Sequence, residues 1–445
     1  MQILLPEKVK KIISVLEGAG FEAYAVGGCV RDSLLGRTPQ DWDITTNARA
    51  LQVKNLFRRT IDTGIAHGTV TVMDREDAFE VTTYRIDGIY EDMRHPSSVT
   101  FTSSLEEDLK RRDFTINAMA YNDRDGLVDL FGGQKDLENR LIRCVGDPYE
   151  RFSEDALRML RAVRFSAQLS FEIEERTAQA VKALSGNLRK ISAERIFAEL
   201  TKILVSRHPE YLRKAWELGE TAVFLPEFDV CMNTPQVNKH HCYNVGDHIL
   251  KTMESIESDR ILRLTMLLHD IAKPVMKTTD RNGIDHFKGH PEKGAEMAEA
   301  ILKRLKCDND TMRKVCLLIR QHDEWTEARE VPVRKLLSSL GEEMFFRLIK
   351  VQVADVLGQS MHRRKEKFER IYSVKAMGEM MLARGDCISL KELAVTGEDV
   401  MKAGCEKGPK VGTVLQAALN AVLENPKNNT REYLLEFIKG EINRQ

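Results

Sequence analysis

The stretch GGCVRDSLLGRTPQDWDITT, residues 27–46, decides the fold of the first part of the chain. It continues the run EAYAV (22–26), whose Tyr and Val, bounded by glycine, predict a short strand. The strand leads into Gly27-Gly28 and then into a helix-like stretch that carries Arg31. A turn of this kind exposes backbone N–H groups to a polyphosphate, because glycine has no Cβ to obstruct the approach. A plain tight turn is the alternative interpretation of the two glycines.

The second half of the stretch carries a pair of carboxylates, Asp41 and Asp43. On a strand, residues at i and i+2 point to one face, and two carboxylates on one face suit two Mg²⁺ ions. Nucleotidyl transfer needs such a pair, because one metal lowers the pKa of the attacking hydroxyl and the other neutralises the leaving pyrophosphate. Glu80, in the strand-like run FEVTTYR (79–85), is the candidate for a third carboxylate, and Arg31 would balance triphosphate charge. A solvated loop for Asp41 and Asp43, and an exposed strand residue for Glu80, are the alternatives.

Strand-like and helical patterns alternate over about the first 140 residues, whereas helical periodicity dominates from about Asp147 onward. The sequence therefore predicts an α+β chain with a mixed head and an all-α remainder. With 445 residues, two to four modules are expected. The N-terminal run MQILLPEKVKKIISVLEGAGF (1–21) predicts a first helix rather than a signal peptide.

The composition is that of an ordinary soluble protein, with 42% hydrophobic and 30% charged residues. No run approaches the length of about 18 apolar residues that a membrane span requires. The eight cysteines include no C-x-x-C pair, so the sequence favours a reducing cytoplasm. The net charge of −1 does not indicate a nucleic-acid partner, and local basic clusters must supply that argument.

Five segments in order resemble the motif series of the class II nucleotidyltransferases, a family that contains the tRNA CCA-adding enzymes and the bacterial poly(A) polymerases. They are GGCVRDSLLGRTPQDWDITT (27–46), RRDFTINAMAYN (111–122), DLFGGQKDLENRLIRCVGDP (129–148), RFSEDALRMLRAVRF (151–165) and ISAERIFAEL (191–200). The resemblance implies a polymerase-beta-like head, a helical neck, and a body and tail that hold tRNA. The implied partners are the tRNA 3′ end, CTP and ATP, and the implied cofactor is Mg²⁺ at a two-metal site.

The neck motif implies how a nucleotide is chosen without a template. Asp155 and Arg158 stand at i and i+3, which places them on one face of a helix. A carboxylate with a guanidinium complements the amino group and ring nitrogen of both cytosine and adenine, and rejects the carbonyl of uracil and guanine. A surface salt bridge is the alternative. The resemblance assigns nucleotide-binding roles to Asp155 and Arg158, and also to Arg112. Arg161 and Arg164 continue the series at three-residue steps and are expected to face the triphosphate, as are Gly28 and Arg31 at the glycine turn.

The segment YRIDGIYEDMRHPSSVTF (84–101) resembles the flexible loop of family members that add the terminal A, with Gly88, Asp92, Arg94 and Pro96 as its recognisable positions. Members that add only CC lack this loop. A CC-only activity is therefore disfavoured.

Histidines cluster between residues 240 and 322, in an order that resembles the HD phosphohydrolase domain. The resemblance implies a site for a divalent metal, with Mn, Ni, Fe, Zn or Mg all compatible, and phosphatase or phosphodiesterase activity. A degenerate domain without metal is the alternative. The matched positions are His248, His269, Asp270, His290, His322 and Asp355.

These patterns predict a nucleotidyltransferase head (1–142), a helical neck (143–230), an HD-type body (235–360) and a tRNA-contacting helical tail (361–445). The favoured function is template-independent CCA addition to tRNA. An A-adding enzyme and a poly(A) polymerase are its neighbours, and a protein-modifying nucleotidyltransferase with a reversing HD hydrolase is a different class. A phosphohydrolase with an inactive head is disfavoured by the intact Asp41 and Asp43. The sequence leaves the oligomeric state open.

Overall fold

The computed structural model of the chain describes residues 2–88 and 99–444. The chain divides into two compact units. Unit 1 comprises Met1–Asp229 with Arg304–Lys306, and unit 2 comprises Val230–Lys303 with Cys307–Gln445.

Unit 1 begins with a mixed head. Its strands are β1 (Ala23–Val26), β2 (Ile44–Thr46), β3 (Thr60–Gly64), β4 (Thr69–Asp74), β5 (Asp77–Thr83), β6 (Arg85–Asp87), β7 (Val99–Phe101), β8 (Met119–Asn122), β9 (Gly126–Asp129), β10 (Leu141–Ile142) and β11 (Glu172–Ile173). Its helices are α1 (Glu7–Gly18), α2 (Gly28–Leu34), α3 (Ala50–Leu56), α4 (Leu105–Lys110), α5 (Gly133–Glu138), α6 (Pro148–Glu154), α7 (Leu157–Leu169), α8 (Glu175–Leu184), α9 (Ala193–Leu204), α10 (Leu212–Glu217), α11 (Thr221–Phe224) and α12 (Pro226–Met232), the last of which crosses the division.

Seven strands form the sheet of the head, in the order β3-β4-β5-β2-β1-β8-β9. All neighbouring strands are antiparallel except β2 and β5, which run parallel with Ile44 opposite Val81. Strand β1 pairs with β2 so that Ala25 lies opposite Ile44. The carboxyl end of β1 therefore meets the amino end of β2 and the middle of β5 at one place on the sheet.

The predicted first helix is confirmed as α1. Its buried side chains, Val9, Ile12, Ile13 and Leu16, recur every one to four residues, as the apolar face of an amphipathic helix does. The lysines between them remain on the outer face. The sequence pattern alone was sufficient here because the helix buries a single continuous stripe.

Unit 2 is helical apart from the two-residue strands β12 (Thr278–Thr279) and β13 (Asp285–His286). Its helices are α13 (Val245–Glu254), α14 (Arg260–Leu268), α15 (Lys273–Met276), α16 (His290–Arg304), α17 (Asn309–Gln321), α18 (Glu330–Leu340), α19 (Glu342–Gly358), α20 (Arg364–Arg384), α21 (Gly397–Lys402), α22 (Pro409–Glu424) and α23 (Arg431–Ile442). No helix in residues 2–88 or 99–444 is long and apolar enough to cross a membrane.

Local capping fixes where several helices of unit 2 begin. Asp259 accepts hydrogen bonds from the backbone of Ile261 and Leu262 at 2.9 and 3.0 Å, which starts α14. Asp308 accepts from Thr311 at 2.9 Å and starts α17. Each of these two helices ends directly at a histidine of the predicted cluster, so the caps set the position of the site.

A buried carboxyl in unit 1 predicts a pH-dependent stability. Glu220 is fully buried, neither of its carboxylate oxygens has a hydrogen-bond partner among the described residues, and burial raises its pKa to about 8. The folded chain holds this proton while the unfolded chain loses it above about pH 4.5, so stability falls as the pH rises between these values. We expect Glu220→Gln to stabilise unit 1 at pH 7 by roughly 3 kcal/mol relative to the original chain, and by little at pH 4.5. Urea denaturation at both pH values measures the difference, and equal gains at both would contradict it.

Candidate active site and metal centre

The three candidate catalytic carboxylates meet at the sheet of the head. Asp41 and Asp43 precede β2, and the pairing of Ile44 with Val81 brings Asp43 beside Glu80 of β5. Burial raises the pKa of the Asp43 carboxyl; the Arg112 charge lowers it, while Glu80 and Asp41 raise it further. The prediction that both aspartates lie within a strand is wrong, because β2 begins at Ile44.

The glycine turn lies close to these three carboxylates. Gly27 has φ of 82° and precedes α2, which begins at Gly28. A Cβ at Gly27 would lie 3.0 Å from Nη1 of Arg112, so the turn needs glycine both for its backbone angle and for the approach of this guanidinium. Arg112 therefore lies between the turn and the carboxylates.

A residue that sequence reasoning missed supports Arg112. Asp108 on α4 is fully buried and lies 3.5 Å from Nη2 of Arg112 and 2.8 Å from Arg111. It also accepts a hydrogen bond from Thr45 on β2 at 3.1 Å. Its position four residues before Arg112 on a helix was the only signal of this contact in the sequence.

Guanidinium groups gather around the ring of Phe165 on α7. The carbon centres of Arg31, Arg161 and Arg164 lie 5.3, 5.4 and 4.0 Å from the ring centroid. Arg164 is buried and forms an ion pair with Glu199 at 3.0 Å, and burial lowers its pKa to about 10. The charge of Arg164 is therefore already compensated by Glu199. The sequence led us to expect a direct contact of Arg164 with the triphosphate instead.

Asp113 and Asn117 connect these arginines. Asp113 accepts hydrogen bonds from Arg161 at 2.7 Å and from Asn117 at 3.2 Å, and Asn117 in turn accepts from Arg31 at 2.6 Å. Burial alone would raise the pKa of Asp113, but Arg161 and Asn117 bring it to about 2. The carboxylate is thus a charged hub that fixes two of the predicted nucleotide-binding guanidiniums.

The prediction that Asp155 and Arg158 share a helical face is wrong. Asp155 ends α6 in an extended conformation, with φ of −134° and ψ of 102°, and α7 begins only at Leu157. Its carboxylate accepts hydrogen bonds from Leu157 N at 3.0 Å and from Arg195 at 2.8 Å. Aspartate favours such positions because its side chain caps the following helix turn.

Arg158 is held by other partners. It donates to Glu154 at 2.7 Å and to the backbone oxygens of Arg151 and Arg111 at 3.1 and 2.9 Å. Both candidate base-reading groups therefore make contacts within the protein. Arg195, which sequence reasoning did not single out, belongs to the fifth motif segment.

Most of the predicted loop 84–101 lies outside the described residues, including Asp92, Arg94 and Pro96. Gly88 is its last described residue before the gap. The strands β6 and β7 at its two ends pair antiparallel, with Arg85 opposite Phe101.

In unit 2 the structure brings the predicted metal ligands together in a buried cluster. His248 lies on α13, His269 and Asp270 follow α14, His290 begins α16, His322 ends α17 and Asp355 lies on α19. Two sets of three side chains could each hold a cation, His248 with His269 and Asp270, and Asp270 with His290 and His322. Asp270 belongs to both sets, so it is a candidate ligand in each.

The distances within the cluster are short. Nε2 of His248 lies 3.2 Å from Nε2 of His269, and Nε2 of His290 lies 3.3 Å from Nε2 of His322. The Asp270 carboxylate lies 3.3 Å from Nε2 of both His248 and His269, and 3.4 Å from that of His290. Asp355 lies 3.0 Å from Nε2 of His248. The Nε2 atoms of four imidazoles therefore converge on one space.

Backbone carbonyls orient all four rings. The Nδ1 atoms of His248, His269, His290 and His322 lie 2.6 to 3.0 Å from the carbonyl oxygens of Gly358, Met266, Phe287 and Ile319. An Nδ1 that donates to a carbonyl leaves Nε2 as the lone-pair atom of a neutral imidazole. A Cβ at position 358 would lie 2.9 Å from Nδ1 of His248, so glycine is required for this contact.

The charge of the cluster fits a divalent cation. The two oxygens of Asp270 are buried and form no hydrogen bond of good geometry, although Nζ of Lys273 lies 2.6 Å away. Burial would lower the pKa of His269, but Asp270 and Asp355 raise it to about 10. The cluster thus attracts positive charge, and imidazole with carboxylate is a donor set for transition metals. Lys273, three residues after Asp270, was not predicted from the sequence.

Comparison with known proteins decides the family. The sequence matches the Poly A polymerase head domain over residues 23–143, the RNA and SrmB-binding site of polymerase A over 170–232, and tRNA nucleotidyltransferase domain 2 over 291–438. A CCA-adding enzyme of Lactiplantibacillus plantarum is 52% identical over 439 residues, which cover 97% of this chain and 96% of the relative. The chain belongs to the CCA-adding enzyme family. The resemblance inferred from the five motif segments is confirmed.

Solved structures agree with this assignment. The Bacillus stearothermophilus CCA-adding enzyme in complex with CTP is similar over 99% of this chain and 98% of that chain, with 29% identity and a TM-score of 0.73. A second sequence relative, a CCA-adding enzyme of Lactobacillus helveticus, is 36% identical over 435 residues, which cover 96% of each chain. The predicted α+β class, with a sheet in the head and a helical remainder, is confirmed as the architecture of CCA-adding enzymes.

Proposed function

We propose that this chain adds C, C and A in turn to the 3′ end of tRNA, using CTP and ATP and no template. The observation that carries the proposal is the meeting of Asp41, Asp43 and Glu80 beside the glycine turn at Gly27 and the Arg112 guanidinium. Family membership supports the tRNA substrate, since the relatives are named for CCA addition. The near-neutral net charge disfavours a polymerase that extends arbitrary RNA.

The family implies a divalent metal, and the three carboxylates fit Mg²⁺. Burial raises the pKa of Asp43 and the charges of Glu80 and Asp41 raise it further, and a dication would relieve this repulsion. Mg²⁺ prefers oxygen ligands. When bound there, two such ions would activate the 3′-hydroxyl and neutralise the leaving pyrophosphate. The carboxylates of Asp41 and Asp43 would hold both ions, and Glu80 would contribute to the same site.

The cationic residues would bind the triphosphate. A Cβ at Gly27 would lie 3.0 Å from Arg112 and one at Gly28 would lie 3.7 Å from Arg31, so both guanidiniums lie beside the glycine turn. Asp113 keeps the Arg161 guanidinium in position. Arg164 would act through Phe165 and Glu199 rather than through the phosphates. Guanidinium groups suit this role because they bind phosphate oxygens in a bidentate manner.

Asp155 and Arg158 would read the base while their present partners hold them in place. Arg195 donates to Asp155 at 2.8 Å, and Arg158 donates to Glu154 at 2.7 Å. Each group is therefore already fixed in orientation before a nucleotide binds. Preorganised donors and acceptors discriminate strongly, because a wrong base leaves a buried group unpaired.

Substituting Asp155 tests this base-reading role. Asp155→Asn presents an amide donor beside the acceptor, and we expect discrimination against UTP and GTP to fall by roughly 10- to 100-fold. Single-turnover incorporation of each nucleotide onto tRNA ending in C measures the ratio. Glu150→Gln on α6 is the matched control, and unchanged selectivity in Asp155→Asn would refute the role.

A direct experiment separates the alternative transferases. The chain is incubated with Mg²⁺, all four nucleotides and a tRNA transcript lacking its 3′ end, and the products are sequenced. The proposal requires three added residues, C, C and A, after which growth stops. A long A tail would indicate a poly(A) polymerase, and nucleotide transfer to protein would indicate the protein-modifying class.

We further propose that unit 2 is an HD-type metal-dependent phosphohydrolase. The convergence of four Nε2 atoms on the two oxygens of Asp270 supports it, because neither oxygen has a hydrogen bond of good geometry. The metal would be a divalent transition ion held by His248, His269, Asp270, His290, His322 and Asp355. Its role would be to activate water and polarise the phosphate.

The predicted boundaries at 142, 230, 235 and 360 assign the head, neck, HD-type body and tail, and the tail (361–445) would contact tRNA through phosphates and shape. The eight free cysteines support a cytoplasmic location. The oligomeric state stays open.

A further inference from the structure

A second cavity adjoins the metal cluster within unit 2. The cavity over the cluster measures about 340 Å³ and is lined by Asp270, His290, His322 and Asp355. The neighbouring cavity measures about 390 Å³ and is lined by Trp325, Arg363, Lys367 and Arg370, and we call it the bay. The two cavities share Asn238, His241, Asp323 and Gln359. The two cavities therefore adjoin, and the candidate metal ligands line only the first of them.

The bay is rich in cations that surround the first turns of α20. Burial lowers the pKa of Lys367, Arg363 and Arg364 lower it further, and Asp355 and Asp323 raise it. Lys239 and Arg363 likewise lower the pKa of His240, after burial and Lys367. Two acids, Asp323 and Glu366, line the bay as well, and Glu366 accepts from Arg363 at 2.5 Å. Cations outnumber acids, so the bay favours an anion.

A chain of hydrogen bonds connects the bay to the metal ligands. Lys367 donates to the side-chain oxygen of Gln359, and the Gln359 amide donates to Asp355 at 2.7 Å. A ligand held in the bay would therefore lie next to the groups that position the cluster.

The bay also offers an aromatic face and unpartnered polar atoms. Trp325 packs against the core of unit 2, and the guanidinium carbon of Arg370 lies 5.6 Å from its ring centroid. The Nδ1 atoms of His240 and His241 are buried and have no hydrogen-bond partner among the described residues. In sites for single-stranded nucleic acid, an aromatic side chain such as Trp stacks on a base, and neighbouring Arg and Lys side chains bind the phosphate.

We propose that the bay binds the penultimate nucleotide of an oligoribonucleotide whose terminal 3′-phosphate lies on the metal cluster. This rests on the proposed phosphohydrolase function. In the reaction a water oxygen bonds to phosphorus, the bond from phosphorus to the ribose oxygen breaks, that oxygen takes up the proton lost by the water, and phosphate leaves. The bay contributes binding to the penultimate base and phosphate, so the centre prefers an RNA end to a small phosphate ester.

The test compares two substrates and two matched variants in the full chain with Mn²⁺. The substrates are a trinucleotide with a 3′-terminal phosphate and p-nitrophenyl phosphate, which has no second phosphate. The double variant Arg363→Gln with Arg370→Gln removes two bay charges, and Lys365→Gln removes a charge from the same helix at a side chain that is 89% exposed and outside the bay. We expect kcat/KM for the trinucleotide to fall at least about tenfold in the double variant only, with p-nitrophenyl phosphate unaffected. Equal losses on both substrates, or no loss on either, would overturn the proposal.

A local binding signal distinguishes failure of the bay from failure of the hydrolase. Trp42→Phe with Trp216→Phe leaves Trp325 as the single tryptophan of the chain. We expect the trinucleotide to quench its fluorescence, and the arginine double variant to abolish the quenching. Quenching without hydrolysis of either substrate would reject the phosphohydrolase and retain the bay as an RNA-binding site. Absence of quenching would reject the bay.

Discussion

Asp43→Asn is expected to reduce nucleotide addition by at least about a thousandfold, because loss of one shared metal ligand removes several kcal/mol of transition-state stabilisation. We do not expect the substitution to lower the stability of the folded state. Desolvation raises the pKa of the Asp43 carboxyl and the nearby charges of Glu80 and Asp41 raise it further, so a neutral side chain of the same shape relieves repulsion in the metal-free chain.

Incorporation of labelled CTP and ATP onto tRNA measures the activity, and thermal unfolding without metal measures the stability. Glu76→Gln, on the exposed turn between β4 and β5, is the control for loss of one negative charge from the same sheet. An Asp43→Asn chain that keeps more than a tenth of the activity would contradict the catalytic assignment. Loss of activity together with a lower unfolding temperature would indicate a structural role.

Asp270→Asn is expected to lower the affinity of unit 2 for Mn²⁺ or Ni²⁺ by at least about 100-fold. Asp270 is the only residue common to both sets of candidate ligands among the described residues, and its two oxygens lie within 3.8 Å of the Nε2 atoms of all four imidazoles. Without this charge, the remaining ligands around each ion are mainly neutral. The same variant should abolish any phosphate-ester hydrolysis while nucleotide addition continues.

Isothermal titration of the full chain with each metal measures the affinity, and metal content after dialysis gives the number of ions bound. Asp310→Asn is the matched control, because this acid lies exposed in the first turn of α17, which ends at His322. Unchanged affinity in Asp270→Asn would refute the proposed cluster. Loss of nucleotide addition together with metal binding would argue against independent centres.

The sequence predicted those features that depend on local patterns. The amphipathic stripe of α1, the strand leading into Gly27 and the α+β class all follow from spacing within one segment. The order of the motif segments was enough to recognise the family, which the relatives confirm.

Contacts between segments that are distant in the chain could not be predicted from the sequence. Asp43 and Glu80 come together because β2 pairs in parallel with β5, and no pattern within either strand specifies that register. The contact of Asp108 with Thr45 depends on the same sheet. The requirement for glycine at 358 likewise appears only when α13 and α19 lie side by side.

In the neck, the prediction from the sequence was wrong for a local reason. Spacing of three residues favours one helical face, but Asp155 ends a helix because its side chain bonds the backbone of Leu157. In the basic run at 363–365, the pattern gave no reason to separate Arg363, which lines the bay, from Lys365, which is exposed. The direction of each side chain depends on where α20 begins.

The most direct test of the central claim is nucleotide addition in single steps. The chain is incubated with tRNA lacking its 3′ end, tRNA ending in C and tRNA ending in CC, each with CTP or ATP alone. Full CCA addition predicts that CTP is incorporated into the first two substrates and ATP into the third. Incorporation of ATP onto the CC form, with no incorporation of CTP into any substrate, would contradict the account and assign the chain as an A-adding enzyme.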